Sequence, residues 1–332
     1  MKVNLVGTPV LVTGAGGFIG SHLVEHLLEL GADVTALVRY SSRSLDGWLE
    51  GLDSSEKLRI VRGDVRDQSF LEDLAVGKVL IFNLAALIGI PYSYEAPTSY
   101  FDVNLGGALN LLESVRRNKD CTLVQLSTSE VYGSARYIPI PESHPLQPQS
   151  PYSASKIAAD AATLSYHAAF GARVILARPF NTYGPRQSLR AVIPTILAQL
   201  LSPSKEIILG NLSARRDFCF VRDTVKCLVE LSCCEESIGH AINIGTGVSV
   251  SVLELVEKIS TIVGVEKSIR SEKDRLRPEK SEVDCLECDP VKLRELTGNL
   301  PITTLNNGLK ETIKWYEDRV KPFGADSSKF HV

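Results

Sequence analysis

The feature that most constrains this chain is a glycine turn set between an apolar run and an amphipathic segment near its start. The run Val10–Val12 predicts a buried strand, and the glycines at 14, 17 and 20 follow it with G-x-x-G-x-x-G spacing. Apolar residues then recur at helical intervals as far as Leu28. This order of strand, turn and helix is typical of the first unit of a doubly wound parallel sheet, where dinucleotides bind.

Each glycine of the turn has a task that a side chain would obstruct. Gly14 lets the chain turn off the strand, Gly17 lets a pyrophosphate approach the backbone, and Gly20 lets the helix pack closely on the sheet. The unpaired amides at the helix start then face the phosphates. We therefore predict a dinucleotide cofactor here, held by a set that comprises Gly14, Gly17, Phe18, Ile19 and Gly20.

Apolar runs alternate with helical patterns along the first half of the chain, which predicts an α/β fold with a Rossmann-type doubly wound parallel sheet. A chain of 332 residues is longer than one compact core usually accommodates, so we also expect a smaller α/β substrate-binding domain. The predicted strands are 34–38, 58–61, 79–84, 123–126 and 174–177, and the predicted helices are 103–115, 152–170 and 191–201. The expected division is 1–179 plus about 222–248 for the dinucleotide domain, 180–221 plus about 249–320 for the substrate domain, and 321–332 for a tail.

The composition excludes several classes of partner. A net charge of −3 argues against nucleic acid or an anionic membrane. The sequence has no run of 18 apolar residues, and its first seven residues are too short for a signal peptide, so we expect a cytoplasmic protein. Seven irregularly spaced cysteines indicate reduced thiols. Cys285 and Cys288 have the spacing of a metal-ligand pair, but no second pair stands nearby, so we expect no metal site.

The end of the second predicted strand bears on which dinucleotide binds. An enzyme specific for NAD often places an acidic residue there to hold the ribose 2′-hydroxyl, whereas this chain has Arg39, Ser42 and Arg43. These side chains suit a 2′-phosphate, so NADP is favoured and NAD stays possible. After the third strand, Asp64 is placed to accept the adenine amino group, with Val65 beside it.

Two further groups of polar residues point to acid–base chemistry. Thr128, Ser129 and Glu130 close the fifth strand, at the edge of the sheet where such folds carry their chemistry. Farther on, Tyr152 and Lys156 lie four residues apart and therefore on one helix face. A lysine cation and a cationic nicotinamide favour the phenolate, so Tyr152 can take a proton from a substrate hydroxyl while hydride leaves the same carbon.

Taken in order, the motifs of this chain resemble the extended short-chain dehydrogenase/reductase family that acts on nucleotide sugars. The resemblance covers about residues 8 to 318 and rests on the glycine turn, Gly63-Asp-Val, Asn83-Leu-Ala-Ala86, Ser127-Thr-Ser-Glu-Val-Tyr-Gly133, Tyr152-x-x-x-Lys156 and Arg178-Pro-Phe-Asn-Thr-Tyr-Gly-Pro-Arg186. Longer strings, 85–94, 137–146 and 276–283, are similar to the N-acetylhexosamine 4,6-dehydratases of legionaminic-acid biosynthesis. For those enzymes the resemblance implies GDP-N-acetylglucosamine as the substrate.

The resemblance implies an oxidation, an elimination and a reduction. Tyr152 deprotonates the sugar 4-hydroxyl as the C4 hydride passes to a tightly bound NAD(P), Thr128 holds the 4-oxygen, and the ketone acidifies the C5 hydrogen. Glu130 is the implied base at C5, water leaves C6, and hydride returns to C6. In dTDP-glucose dehydratases an aspartate stands at the position of Ser129, so either Ser129 or Glu130 is the acid for water loss.

The same resemblance assigns further residues. It implies cofactor contacts from Leu84, Ala85, Ala86, Asn104, Tyr152 and Lys156, and substrate contacts from Asn181, Arg186, Arg216 and Arg277. It also implies a homodimer that is formed by the helices over 103–115 and 152–170.

Three alternatives stay open on the sequence. A UDP-glucuronate decarboxylase uses the same C4 oxidation and then loses CO2, and Arg216 could face C6 there. A 4-epimerase needs Tyr152, Lys156 and Thr128 but leaves Glu130 idle. A non-catalytic redox sensor would have no reason to retain the catalytic residues together.

Overall fold

The computed structural model describes residues 4–40, 46–50, 52, 55–272, 275 and 278–319. Its main sheet has seven parallel strands: β1 (Pro9–Thr13), β2 (Asp33–Arg39), β3 (Leu58–Gly63), β4 (Leu80–Asn83), β5 (Thr122–Leu126), β6 (Arg173–Pro179) and β10 (Ala241–Ile244). Their order is β10-β6-β5-β4-β1-β2-β3. The predicted α/β class and parallel sheet are confirmed, and each predicted strand lies within two residues of its observed bounds.

Helices cover both faces of this sheet. Alternation along β1 sends Val10 and Val12 into one apolar cluster and Leu11 into another on the opposite face. The helices are α1 (Phe18–Glu29), α2 (Gln68–Ala75), α3 (Ile90–Glu95), α4 (Pro97–Tyr100), α5 (Gly107–Arg117), α6 (Pro151–Phe170), α7 (Val192–Leu201), α8 (Val221–Ser232), α9 (Val252–Val263), α10 (Val291–Thr297) and α11 (Leu305–Arg319). No described helix has the length and apolar character needed to span a bilayer.

The remaining strands form two small sheets. They are β7 (Asn181–Tyr183), β8 (Glu206–Leu209), β9 (Arg215–Phe220), β11 (Ser249–Ser251), β12 (Ser268–Ser271) and β13 (Cys285–Leu286). Strand β9 pairs with β7, β11 and β13, and β8 pairs with β12. The segment after α8 returns to the main sheet as β10, which pairs with β6, as the sequence predicted.

The single helix predicted over 103–115 is wrong in one respect. A π-helical segment, Phe101–Gly106, separates α4 from α5. Within it, the side chain of Asn104 turns away from the helix and bonds to the backbone of Leu87. A π-helical insertion of this kind is common at functional sites, and apolar periodicity carries no signal for it.

Candidate active site

The glycine turn forms a cradle that no side chain can enter. Gly14 has a φ of +65°, and a Cβ there would lie 2.8 Å from the amide nitrogen of Ala85. A Cβ on Gly20 would lie 2.2 Å from the carbonyl oxygen of Gly14, so Gly20 packs against the turn itself. Helix α1 starts after Gly17 with no side-chain cap and no acidic residue in its first turn. These residues fit a dinucleotide pyrophosphate.

A buried row of polar side chains holds the next loop against this cradle. Thr13 donates to Asn83 over 2.6 Å, and Asn83 donates to Gln125 over 2.8 Å. The amide of Ala85 donates to the Thr13 hydroxyl over 3.1 Å. The loop after β4, which holds the predicted cofactor residues 84–86, is thereby fixed beside Gly14. No motif of the sequence predicted this row, although each of three apolar strands carries one of its polar residues.

Asn104 joins the same loop to the helix that carries Tyr152. Its amide oxygen accepts from Leu87 N over 2.8 Å, and its amide nitrogen donates to Leu87 O over 3.0 Å and to Ser155 Oγ over 2.9 Å. Ser155 in turn donates to the carbonyl of Tyr152 over 2.7 Å. Asn104 is only 2% exposed, so it acts on the site by ordering backbone.

Three of the predicted catalytic residues meet at the carboxyl end of β5. A 3-10 turn, Ser129–Tyr132, follows the strand, and the Thr128 hydroxyl caps it by accepting from Glu130 N over 3.2 Å. Thr128 is also hydrogen bonded to the Tyr152 side chain. Burial raises the pKa of Tyr152, the bond with Thr128 opposes that rise, and the Glu130 carboxylate adds to it. The negative charge of Glu130 therefore acts on the phenol of Tyr152. Ser129, between Thr128 and Glu130, is buried.

Lys156 lies one turn beyond Tyr152 on α6. Ser150 begins this helix with a reciprocal capping box to Ser153, so the first turn that carries Tyr152 is fixed. Lys156 is 4% exposed, and its ammonium donates to the Leu126 carbonyl over 2.6 Å. Burial lowers the pKa of Lys156 to about 8, against an opposing effect of Asp160.

The residues predicted for the adenosine half are partly described. Arg39 is exposed at the end of β2. The Asp64 carboxylate accepts from Arg66 over 2.6 Å and 2.9 Å, and this hydrogen bonding lowers the pKa of Asp64. Val65 is buried, and its carbonyl accepts from Asn110 over 2.9 Å. The predicted residues Ser42, Arg43 and Arg277 lie outside the described part of the chain.

The predicted substrate residues differ in what they already contact. The amide oxygen of Asn181 is buried and makes no hydrogen bond within the described residues. Arg216 is 8% exposed and donates to the Arg215 carbonyl over 2.9 Å. Arg186 pairs with Glu25 of α1 over 2.6 Å, with a backbone φ of +71°. Arg186 therefore forms its ion pair with α1, the helix that follows the glycine turn.

The family of this protein follows from a match that spans both small sheets and the main one. A family model described as GDP-mannose 4,6 dehydratase matches residues 11–312. The chain belongs to the GDP-mannose 4,6 dehydratase family. The predicted resemblance to extended nucleotide-sugar dehydratases and epimerases is confirmed at this level.

The chain is similar to proteins of two different activities, dehydratases and epimerases. It is 32% identical to a dTDP-glucose 4,6-dehydratase of Streptomyces niveus, over 93% of each protein. It is also 32% identical to a UDP-glucose 4-epimerase of Mycolicibacterium smegmatis, over 93% of this chain and 98% of that protein. Among solved structures, the dTDP-glucose 4,6-dehydratase of Bacillus anthracis in complex with NAD has a TM-score of 0.84 at 29% identity, covering 94% of this chain and 97% of that chain.

Membership of the GDP-mannose 4,6 dehydratase family and the glycine cradle together support NAD(P) binding at the start of the chain.

The structure places further residues beside the site, to which the motifs assigned no role. Tyr100 lies edge-on to Tyr152, with ring centroids 6.2 Å apart. Asp160 and Arg178 form a buried ion pair beyond Lys156. The position of Asp160, one turn after Lys156, is a signal in the sequence, whereas nothing in the spacing places Tyr100.

Proposed function

We propose that this protein is a nucleotide-sugar 4,6-dehydratase that acts on a nucleoside-diphosphate N-acetylhexosamine, with GDP-N-acetylglucosamine as the first candidate. The observation that carries the proposal is the meeting of Thr128, Glu130 and Tyr152 at the end of β5. An oxidation at C4 needs a base for the hydroxyl proton, and an elimination across C5 and C6 needs a second one. Tyr152 and Glu130 provide the two.

In the first step Tyr152 removes the proton of the sugar 4-hydroxyl, while Thr128 holds the oxygen. NAD(P)+, when bound, would supply a hydride acceptor and a positive charge that favours the phenolate. The Lys156 ammonium stabilises the phenolate from one helical turn away, because an opposite charge nearby favours the ionised form. Burial raises the pKa of Tyr152, so the positive charges of Lys156 and of the nicotinamide are needed to stabilise the phenolate.

In the second step Glu130 takes the proton from C5 and passes it to the departing 6-hydroxyl, which leaves as water. Hydride would then return from the reduced cofactor to C6, and C5 would be reprotonated, which gives the 4-keto-6-deoxy sugar. The ketone at C4 acidifies the C5 hydrogen, so a carboxylate suffices as the base. Ser129 is a poor acid and is buried, which leaves both proton transfers to Glu130. In this respect the proposed mechanism differs from that of the dTDP-glucose dehydratases, in which an aspartate stands at the position of Ser129.

For the cofactor we propose a preference for NADP over NAD. The exposed Arg39 at the end of β2 supports it, because a guanidinium suits a phosphate better than a ribose hydroxyl. For the substrate we propose contacts from Asn181 and Arg216. The buried amide oxygen of Asn181 is available to accept a hydrogen bond from a sugar group.

A second candidate function is a nucleotide-sugar 4-epimerase. It is favoured by the 32% identity to a UDP-glucose 4-epimerase. An epimerase would use Tyr152, Lys156 and Thr128 for the same C4 oxidation, then return hydride to the other face of C4. Glu130 would have no chemical task in that reaction, so the product and the effect of changing Glu130 separate the two functions.

Mass spectrometry of the product tests the proposal. The purified protein is incubated, without added cofactor, with GDP-N-acetylglucosamine, UDP-N-acetylglucosamine, dTDP-glucose or UDP-glucuronate. Loss of one water from an N-acetylhexosamine substrate is the expected result and identifies the nucleotide. An unchanged mass with an altered C4 configuration by NMR would establish the epimerase instead, and loss of CO2 from UDP-glucuronate would establish the decarboxylase.

A further inference from the structure

A row of buried polar side chains continues inward from the catalytic lysine. Asp160 lies one turn after Lys156 on α6, and its Oδ2 accepts from Arg178 Nε of β6 over 3.0 Å. Arg178 also donates to the Tyr132 hydroxyl over 3.0 Å, and Tyr132 donates to Asn243 over 2.7 Å. The row therefore runs from α6 through the turn after β5 to the edge strand β10.

The Asp160–Arg178 pair is placed where an ion pair is costly. The side chains are 1% and 3% exposed, and the desolvation of two charges offsets much of their attraction. The Arg178 guanidinium also lies 5.2 Å from the centre of the Tyr132 ring. Apolar residues of similar volume would fill this space at a lower desolvation cost.

The charge that the pair can influence is the one on Lys156. Burial disfavours the Lys156 ammonium, and the Asp160 carboxylate favours it. Around Lys156, Glu130 from the turn after β5 acts on Tyr152, and Arg178 from β6 acts on Asp160. Within the described residues, Asp160 is thus the carboxylate that supports the lysine cation.

We propose that Asp160, held in place by Arg178, is a positioning residue that keeps Lys156 cationic during the proton transfers of Tyr152. This role rests on the proposed function, because it assumes that Tyr152 works as an acid and base. Arg178 fixes the carboxylate by a hydrogen bond and is itself fixed by Tyr132. The carboxylate therefore acts through Lys156 and does not touch the substrate.

The test is a titration of Lys156 in the cofactor-loaded protein, which needs no substrate. The lysine side chains are labelled with nitrogen-15, and the Lys156 signal is the one that Lys156→Arg removes. Asp160→Asn removes the carboxylate that opposes the effect of burial, so we expect the pKa of Lys156 to fall by about one unit. Asp160→Glu keeps the carboxylate and is the matched control, expected to restore the parent value.

A double variant, Asp160→Asn with Arg178→Gln, removes both charges and so avoids a lone buried guanidinium if the single variant fails to fold. If this double variant, or Asp160→Asn alone, is well folded and its Lys156 titrates as in the parent, the proposal is overturned. Because this readout is independent of turnover, it stays decisive even if no dehydration product is found. If dehydration is found, we expect kcat of Asp160→Asn to fall about tenfold on the alkaline side, with KM unchanged.

Discussion

At the scale of single residues, environment divides the acid–base work. Tyr152 and Lys156 are both buried, and burial moves the pKa of the phenol up and that of the ammonium down. Both shifts disfavour the charged forms, so the proposed role of Tyr152 as a base requires other charges that compensate for burial. Asp160 compensates on the lysine side, and a cationic nicotinamide would do so on the tyrosine side.

Replacing Glu130 by Gln removes the proposed base at C5. We expect dehydration to fall by about 100-fold or more, because general-base catalysis contributes on that order. Oxidation at C4 should continue, so reduced cofactor accumulates and is seen by its absorbance. The exposed Glu56→Gln is the control. Dehydration within about threefold of the parent would show that Glu130 is idle, as the epimerase requires.

The rate should depend on pH through Lys156. The lysine is charged below its pKa of about 8 and neutral above it, so activity is present on the acid side and is lost as pH rises through that value. Initial rates across the alkaline range measure this limb. In Lys156→Arg the guanidinium stays charged, so the variant should be slower but should lack the limb. A limb that persists unchanged in this variant would assign it to another group.

At the scale of elements, close backbone approach decides where the cofactor can bind. The start of α1, the turn after β1 and the loop after β4 meet at Gly14. The buried row that begins at Thr13 holds the loop there. The glycine spacing predicted this turn, because only glycine tolerates its φ and contacts. The partner loop could not be predicted in detail, because residues 72 positions apart in sequence make the contact.

Gly20→Ala tests the cradle. Its Cβ would lie 2.2 Å from the Gly14 carbonyl oxygen, so the turn must shift, at a cost of about 1–3 kcal/mol. We expect a lower Tm and loss of the copurified NAD(P). Gly106→Ala is the matched control, because it is also helical and the nearest atom to its Cβ is 4.0 Å away. Equal cofactor content in both variants would contradict the assigned role of Gly20.

At the scale of the whole molecule, the parallel sheet gathers distant segments at one edge. The carboxyl ends of β1, β4, β5 and β6 bring the glycine turn, the loop over 84–86, Thr128 and Asn181 to that edge. Arg216 lies on β9 of the small sheet, and we propose that it contacts the substrate. The residues that we propose for the cofactor and those that we propose for the substrate therefore come from different parts of the chain.

The predicted homodimer belongs to the same scale. Helix α6 presents small side chains to the outside, among them the exposed Ala161, Ser165 and Ala168, and small residues allow close helix approach. We expect Ala161→Arg to convert a dimer into a monomer in light scattering after size exclusion. Asn306→Arg, at an exposed position of α11, should leave the dimer intact. A parent that is monomeric, or an unchanged mass for Ala161→Arg, would reject this interface.

The sequence by itself determined the sheet, the glycine cradle and the position of Tyr152 and Lys156 one turn apart on a helix, because periodicity and short spacings express local physics. The tertiary structure decided the rest. It placed Asn104 in a π-helical segment, paired Arg186 with Glu25, and set Asp160 and Arg178 behind Lys156. The two ion pairs join residues 161 and 18 positions apart, and whether such side chains meet depends on how the sheet and helices pack.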